Sequence, residues 1–349
     1  KPYFVRVMEQ SPTMFWINNP TRRHADLALE NGALGCTNNP SYTQKMIDHP
    51  EEGSYALQVL DEVIREVRDD VEAVAVFQRR MAAPICQRFL PLFEASAHQE
   101  GYVSIQGDPI LEHDPNVIIR EARANRKVAA NVCCKIPTTG SGLKAMETLI
   151  PEGTPINATE IFAIRQGLDL GELCEKLVPA GQSGPKLYYS HIAGIYDDHL
   201  KAYALQHGVD ISPDVLVQAG LAVSRKLYGL VKANGYRMSF IGGGARGLHH
   251  FTELVGGEVN LTINWVGTAD QLLAQNPPVI SRMFNPVEPR VLQELMSKLP
   301  DFRRGYEDDG IHVDEYDEFG PVELFRSSFV KSWQRVLEVI KQRRALLAG

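Results

Sequence analysis

The segment Asn131–Gly142 reads NVCCKIPTTGSG, an apolar run with one lysine near its end, followed at once by Pro137 and a glycine-bearing turn. A lysine in such a run ordinarily snorkels, its stem covering apolar surface while its ammonium stays wet. The chemical alternative is that burial disfavours the charged form. Lys135 would then carry enough neutral amine to attack a ketone carbonyl and form a Schiff base. A second segment, Ile241–Gly247, reads IGGGARG and formally contains GxGxxG after a strand-like run. The dinucleotide reading wants an acidic residue at the end of the next strand, and that run, EVNLTIN, ends in Asn264. The other readings are a phosphate cradle, in which glycine amides such as that of Gly244 act with Arg246 on an anion, and a plain turn with a surface arginine.

The positions of these residues depend on the elements that carry them. Short apolar, β-branched segments recur at 13–18, 33–38, 102–106, 128–136, 154–159, 186–192, 237–243 and 258–264, most of them ending in a polar residue or a turn. Helical periodicity fills intervals between them, notably 56–81, 84–99, 142–149 and 215–235. Strands alternating with helices imply parallel pairing, and eight such units fit a (β/α)8 TIM barrel of roughly 250 residues. A doubly wound open sheet is the alternative. The surplus follows residue 265 as further helices, so a single barrel domain over 1–349 with a C-terminal helical extension over about 266–349 is expected. In a barrel the site lies at the carboxyl ends of the strands. The polar residues there are Asn18, Asn38, Asn39, Gln106, Lys135, Asn157, Thr159, Ser190, His191, Arg246 and Asn264. So many hydrogen-bonding groups with so few charges suit a hydroxyl-rich molecule with one anionic end. Strand alternation turns Cys133 inward with Lys135 and Cys134 outward.

On these residues the chain resembles the transaldolase family of Schiff-base aldolases. GCTNNPS (35–41) is similar to that family's TTNPS motif, and GYVSIQGDP (101–109) to its third-strand segment. KIPTTGSGLKAMETLIPEGTPINATEIFAIRQG (135–167) carries the strongest likeness, and IGGGARG resembles its seventh-strand loop. The resemblance implies Schiff-base formation at Lys135, with Asn39 and Asn157 bonding substrate hydroxyls, Thr159 positioning a water, Ser190 touching substrate and Arg246 binding its phosphate. It implies cleavage of a ketose, leaving a dihydroxyacetone-type unit on Lys135 for transfer to an aldehyde. Three positions depart from the pattern. Asn18 and Gln106 stand where the family has its catalytic aspartate and glutamate, and Ile195 stands where a second phosphate-binding arginine is usual. An amide orients water and hydroxyls but does not shuttle protons near neutral pH. The fructose 6-phosphate aldolase branch also has glutamine on its third strand and relies on a sixth-strand tyrosine, whose place is taken here by Ile192. His191, beside it, is the nearest titratable substitute, with a structural histidine as the equal alternative. Simple aldol cleavage, a shifted substrate, and a barrel that binds sugar without turnover are the competing functions, alongside the nicotinamide-dependent oxidoreductase that GxGxxG suggests.

Composition narrows the partners. A net charge of −7 argues against nucleic acid, which needs a clustered basic face. No apolar run approaches the roughly 18 residues that cross a bilayer, and residues 1–10 lack a secretory leader's apolar core. Five cysteines form no CxxC pair or zinc-ligand spacing, so a reducing, cytoplasmic setting without metal or cofactor is expected. The acidic run 301–319 is expected to be a solvated loop. Small ketoses and aldoses, phosphorylated or otherwise anionic, are the expected partners, and the long C-terminal helix leaves room for self-association.

Overall fold

The computed structural model describes residues 1–348. Its eight strands are β1 (Met14–Asn18), β2 (Cys36–Thr37), β3 (Val103–Gln106), β4 (Val132–Pro137), β5 (Ile156–Ile161), β6 (Leu187–His191), β7 (Ser239–Gly242) and β8 (Val259–Ile263). Each pairs in parallel with its sequence neighbour, and β1 pairs with β8, so the sheet closes into a (β/α)8 barrel. Closure excludes the doubly wound open sheet, and IGGGARG thereby becomes the loop after the seventh barrel strand.

The barrel interior is layered because successive residues of a strand face opposite sides. In the lower layer Trp16, Cys133, Tyr188 and Ile241 pack together, with the Trp16 and Tyr188 rings edge-to-face at 5.2 Å. Cys134, one residue on, turns outward and its thiol reaches the carbonyl of Ala122 at 3.3 Å. Two residues above Cys133 on the same face lies Lys135, in register with Gln106 on β3 and Asn157 on β5.

Two helical boundaries differ from the sequence reading. The pattern over 56–81 divides at Asp69, whose side chain accepts from Glu72 N at 2.8 Å and starts a helix running Asp70–Ala95 through both Pro84 and Pro91. The acidic run 301–319 is no plain loop. It contains the helix Pro300–Tyr306 and a 3-10 turn at Val313–Glu318, and it buries Phe302, Ile311, Tyr316 and Phe319. Tyr316 donates to Asp169 and His199 bonds Asp301, so part of the acidic charge is tied into packing.

The C-terminal helix, Gly320–Ala348, packs across the barrel mouth and against the helices that follow β2. Arg343 and Arg344 pair with Asp61 and Asp70, and Ser332 donates to Ser41 at 3.0 Å. Among the described residues no helix is long and apolar enough to cross a membrane, and all five cysteines are buried free thiols.

Candidate functional site

A cavity of about 260 Å³ opens at the carboxyl ends of the strands, close to the lower end of the range for small-molecule sites. Lys135 forms part of its floor, Asn18, Thr37, Thr262 and Asn264 one wall, and Gly243–Arg246 another. Phe325, Ser328 and Phe329 of the C-terminal helix supply a third, so the segment after β8 contributes directly to the site.

Lys135 is only 6% exposed. Burial pulls its pKa down to about 8, against a smaller opposing pull from the Glu160 carboxylate. A useful fraction of neutral amine is therefore present near pH 7, which is what a carbonyl-attacking lysine needs.

The sequence-identified residues fall into distinct groups. Asn18 donates to Asn264 Oδ1 at 2.9 Å and accepts from Thr37 Oγ1 at 2.9 Å, while Thr262 donates to Thr37 at 2.7 Å. This wall is a closed set of neutral hydrogen bonds. Deeper in, Ser190 donates to Asn157 Oδ1 at 2.6 Å and Asn157 donates to Ser104 Oγ at 3.1 Å. Asn39 lines the cavity with its carbonyl oxygen fixed by Ser41 N at 3.0 Å. Gln106 and Thr159 are buried at the ends of β3 and β5, and neither Gln106 Oε1 nor Thr159 Oγ1 has a partner among the described residues.

His191 is not brought to this group. Because Ser190 faces the barrel interior, His191 faces the surrounding helices, where Nδ1 bonds Ser224 Oγ at 2.7 Å. Burial, with a smaller contribution from the His250 charge, lowers its pKa to about 3. Burial thus favours the neutral imidazole, and His191 is not among the residues lining the cavity, which corrects the expectation of a titrating group there.

Gly244 and Arg246 lie on the cavity wall. Gly244 has φ +67°, and the loop passes so close to the start of the helix that follows β6, Ala193–Gln206, that a Cβ at Gly194 would meet Gly244 O at 2.0 Å. Arg246 Nε bonds Asp198 at 2.5 Å, and Ile195 packs beside Gly244. His250 supports the loop from behind, accepting from Arg246 N at 3.2 Å and bonding Asp197 at 2.9 Å. Asp197, His249 and His250 come within 4.8 Å of one another, a spacing a cation could use. However, both His250 nitrogens already have partners, so the trio braces the loop rather than presenting ligands.

Three contributors escaped the sequence reading. Lys45, just beyond GCTNNPS, lines the same cavity, and its pKa is lowered by the protein around it and by the Arg246 charge. Lys45 and Arg246 thus place two cationic side chains on the lining of one cavity. The others are carboxylates, Glu112 and Glu160, both buried. For Glu160 the available signal was a charge inside the otherwise apolar run ATEIFAI, residues 158–164.

Comparison with known proteins draws on the same regions. A family model described as Transaldolase/Fructose-6-phosphate aldolase matches residues 15–310. The chain belongs to this family. Among curated relatives named transaldolase, that of Parafrankia sp. (strain EAN1pec) is 34% identical over 157 residues, 43% of this chain and 42% of the relative. That of Thiobacillus denitrificans is 33% identical over 159 residues, 43% of this chain and 44% of the relative. Transaldolase 2 of Nostoc punctiforme is 30% identical over 168 residues, 45% of this chain and 42% of the relative. The matched segments thus span less than half the length of these transaldolases.

Proposed function

We propose that this transaldolase-family chain is a lysine Schiff-base enzyme that cleaves a ketose and transfers a dihydroxyacetone-type unit to an aldehyde. The observation carrying this reading is the depressed pKa of Lys135, about 8, on an amine that forms part of a cavity floor at the barrel's carboxyl end. A snorkelling lysine would keep its ordinary pKa, since its ammonium would stay hydrated.

In this reading the Lys135 amine attacks the ketose carbonyl. Asn39, Asn157 and Ser190 bond the hydroxyls, Asn18 presents the amide wall, and Gln106 with Thr159 holds a water. Arg246, the Gly244 amide and Lys45 receive an anionic tail such as a phosphate, to which charge-assisted hydrogen bonds give both affinity and orientation. The substrates would be small ketoses and aldoses, with no nucleic acid or membrane partner and no cofactor or metal. Five free thiols suit a reducing compartment such as the cytoplasm. The polar side chains also fit simple aldol cleavage of the fructose 6-phosphate aldolase kind, which differs in whether a proton or an aldehyde captures the enamine carbon before the iminium is hydrolysed.

The test is borohydride trapping with a panel of ketoses, phosphorylated and not, read by mass spectrometry. Mass added to the peptide containing Lys135 is expected. Ligand-induced thermal stabilisation with neither adduct nor turnover would instead favour a sugar-binding barrel.

A further inference from the structure

Asn18 and Gln106 leave the proposed reaction without the carboxylates that would move its protons, yet one carboxylate, Glu160, is hydrogen-bonded to Gln106 and near enough to Lys135 to act on its charge. Glu160 follows Thr159 at the end of β5, where regular alternation would send its side chain outward with Ala158. Instead its backbone is left-handed, with φ +59°, and the β5–β6 register shifts between Ala158 and Ile161. Such a conformation is strained for a non-glycine residue and persists only where its surroundings enforce it. The enforcing group is Gln166, whose amide donates to Glu160 O at 3.0 Å and Thr138 O at 2.8 Å.

The turned side chain reaches Gln106, which donates from Nε2 to Glu160 Oε1 at 3.1 Å. Since β3 and β5 flank β4, and Gln106, Lys135 and Asn157 are in register, this bond bridges the two strands on either side of the lysine. The other oxygen, Glu160 Oε2, is buried without a partner among the described residues, as are Gln106 Oε1 and Thr159 Oγ1. A glutamine suits a titrating neighbour, because its amide can donate to a carboxylate and, turned over, accept from a carboxylic acid. A glutamate at 106 would repel the charge instead.

We propose that Glu160 is the proton donor and acceptor for Schiff-base formation and hydrolysis at Lys135, with Gln106 as its positioning residue. The inference rests on the Schiff-base reading above. Neutral Lys135 adds to the ketone, and internal proton transfer gives the neutral carbinolamine. Glu160, as the acid, passes its proton to the carbinolamine hydroxyl as the C–O bond breaks. Water leaves, the nitrogen lone pair forms the C=N bond of the iminium, and Glu160 remains as a carboxylate beside that cation. Hydrolysis runs through the same steps in reverse.

The surroundings of Glu160 suit both states. Burial raises its pKa to about 7, while Gln106, Lys135 and Arg326 of the C-terminal helix favour the charged form and Asp317 opposes it. Glu112, after β3, is also buried, and both of its oxygens lack partners among the described residues. Burial, with the Glu160 charge second, holds the Glu112 pKa well above the carboxylate range. As Lys135 must be neutral and Glu160 protonated, the rate should rise with pH as the amine is freed and fall as the acid is lost. The two limbs near 7 and 8 belong to the pair.

The experiment measures the rate of the borohydride-trappable adduct against pH in the full-length protein, Glu160→Gln, Glu160→Asp and Gln106→Leu. Glu160→Gln should still give the Lys135 adduct, slowed by about 10²-fold or more, the scale of general acid–base catalysis. Its profile should lose the alkaline decline and keep a single rise, set by the Lys135 amine alone. Glu160→Asp should recover part of the rate, and Gln106→Leu, which removes a bond favouring the carboxylate, should move the limb near 7 to higher pH. A Glu160→Gln enzyme with the wild-type profile, whether at full or uniformly reduced amplitude, overturns the role of Glu160 alone. No adduct in the wild-type protein overturns the Schiff-base reading and this inference together.

Discussion

On the β8–β1–β2 side of the barrel mouth, Asn264, Asn18, Thr37 and Thr262 direct their hydrogen-bonding groups at one another. On the β3–β4–β5 side, Gln106, Thr159 and Glu160 each leave a buried polar atom unmatched around Lys135. Both regions belong to one barrel and are built from polar residues. A closed network makes a stiff neutral wall, whereas unmatched buried groups cost of order 1–3 kcal/mol each unless something else occupies them. In the proposed mechanism the β3–β4–β5 side is the one that reacts, and the Asn18–Thr37–Thr262–Asn264 network is the one that holds shape.

Breaking that contrast begins with Lys135. Lys135→Met should abolish the trappable adduct and also stabilise the fold. A lysine whose folded pKa is about 8 binds fewer protons than the unfolded chain between there and about 10.5, so it destabilises the native state below pH 8. The gain at neutral pH should be on the order of 3 kcal/mol at most, shrinking as pH approaches 10, and thermal melts across that range would measure it. Wild-type stability in this variant would mean that the amine is hydrated after all.

The anion end should respond next. Lys45→Met and Arg246→Met should each raise KM for a phosphorylated ketose about 10- to 100-fold, the scale of a lost charged hydrogen bond, with a smaller effect on the unphosphorylated sugar. If only Arg246 matters, Lys45 does not share the tail. Ile195→Arg should lower KM for the phosphorylated substrate by less than this, because Lys45 and Arg246 already supply positive charge there.

On the closed side, Thr37→Val removes the hydroxyl between Asn18 and Thr262 and should cost about 1–2 kcal/mol, read as a lower unfolding midpoint. Asn18→Asp should have the smallest consequence, changing the adduct rate less than about tenfold, since its oxygens would meet Thr37 and Asn264 rather than the Schiff base. A larger rise in rate would erase the distinction between the two sides.

Much of this was legible in the sequence because it rests on local rules. The eight strands showed as short β-branched runs ending in polar residues, and Lys135 as a charge at one of those ends. The neighbours of Ser190 and Cys133 followed from alternation, and alternation applied to His191 would have turned it away from the cavity. Glu160 was hidden for the opposite reason. Its orientation breaks alternation through a left-handed backbone that neither glycine nor asparagine announces, imposed by Gln166 from the following helix. Lys45 stood beside a recognisable motif, but its role depends on Arg246, far away in sequence. In 301–319 the acidic composition masked the spacing of Phe302, Ile311, Tyr316 and Phe319, whose burial needs the barrel's outer helices as partners.

The wall formed by Phe325, Ser328 and Phe329 also sets an order on how the molecule comes into being. A ribosome delivers the barrel strands first and this helix only afterwards, so a nascent chain can close its sheet while the lysine still faces open water. In the proposed reading, docking of this helix is one of the steps that encloses the cavity in which Lys135 works.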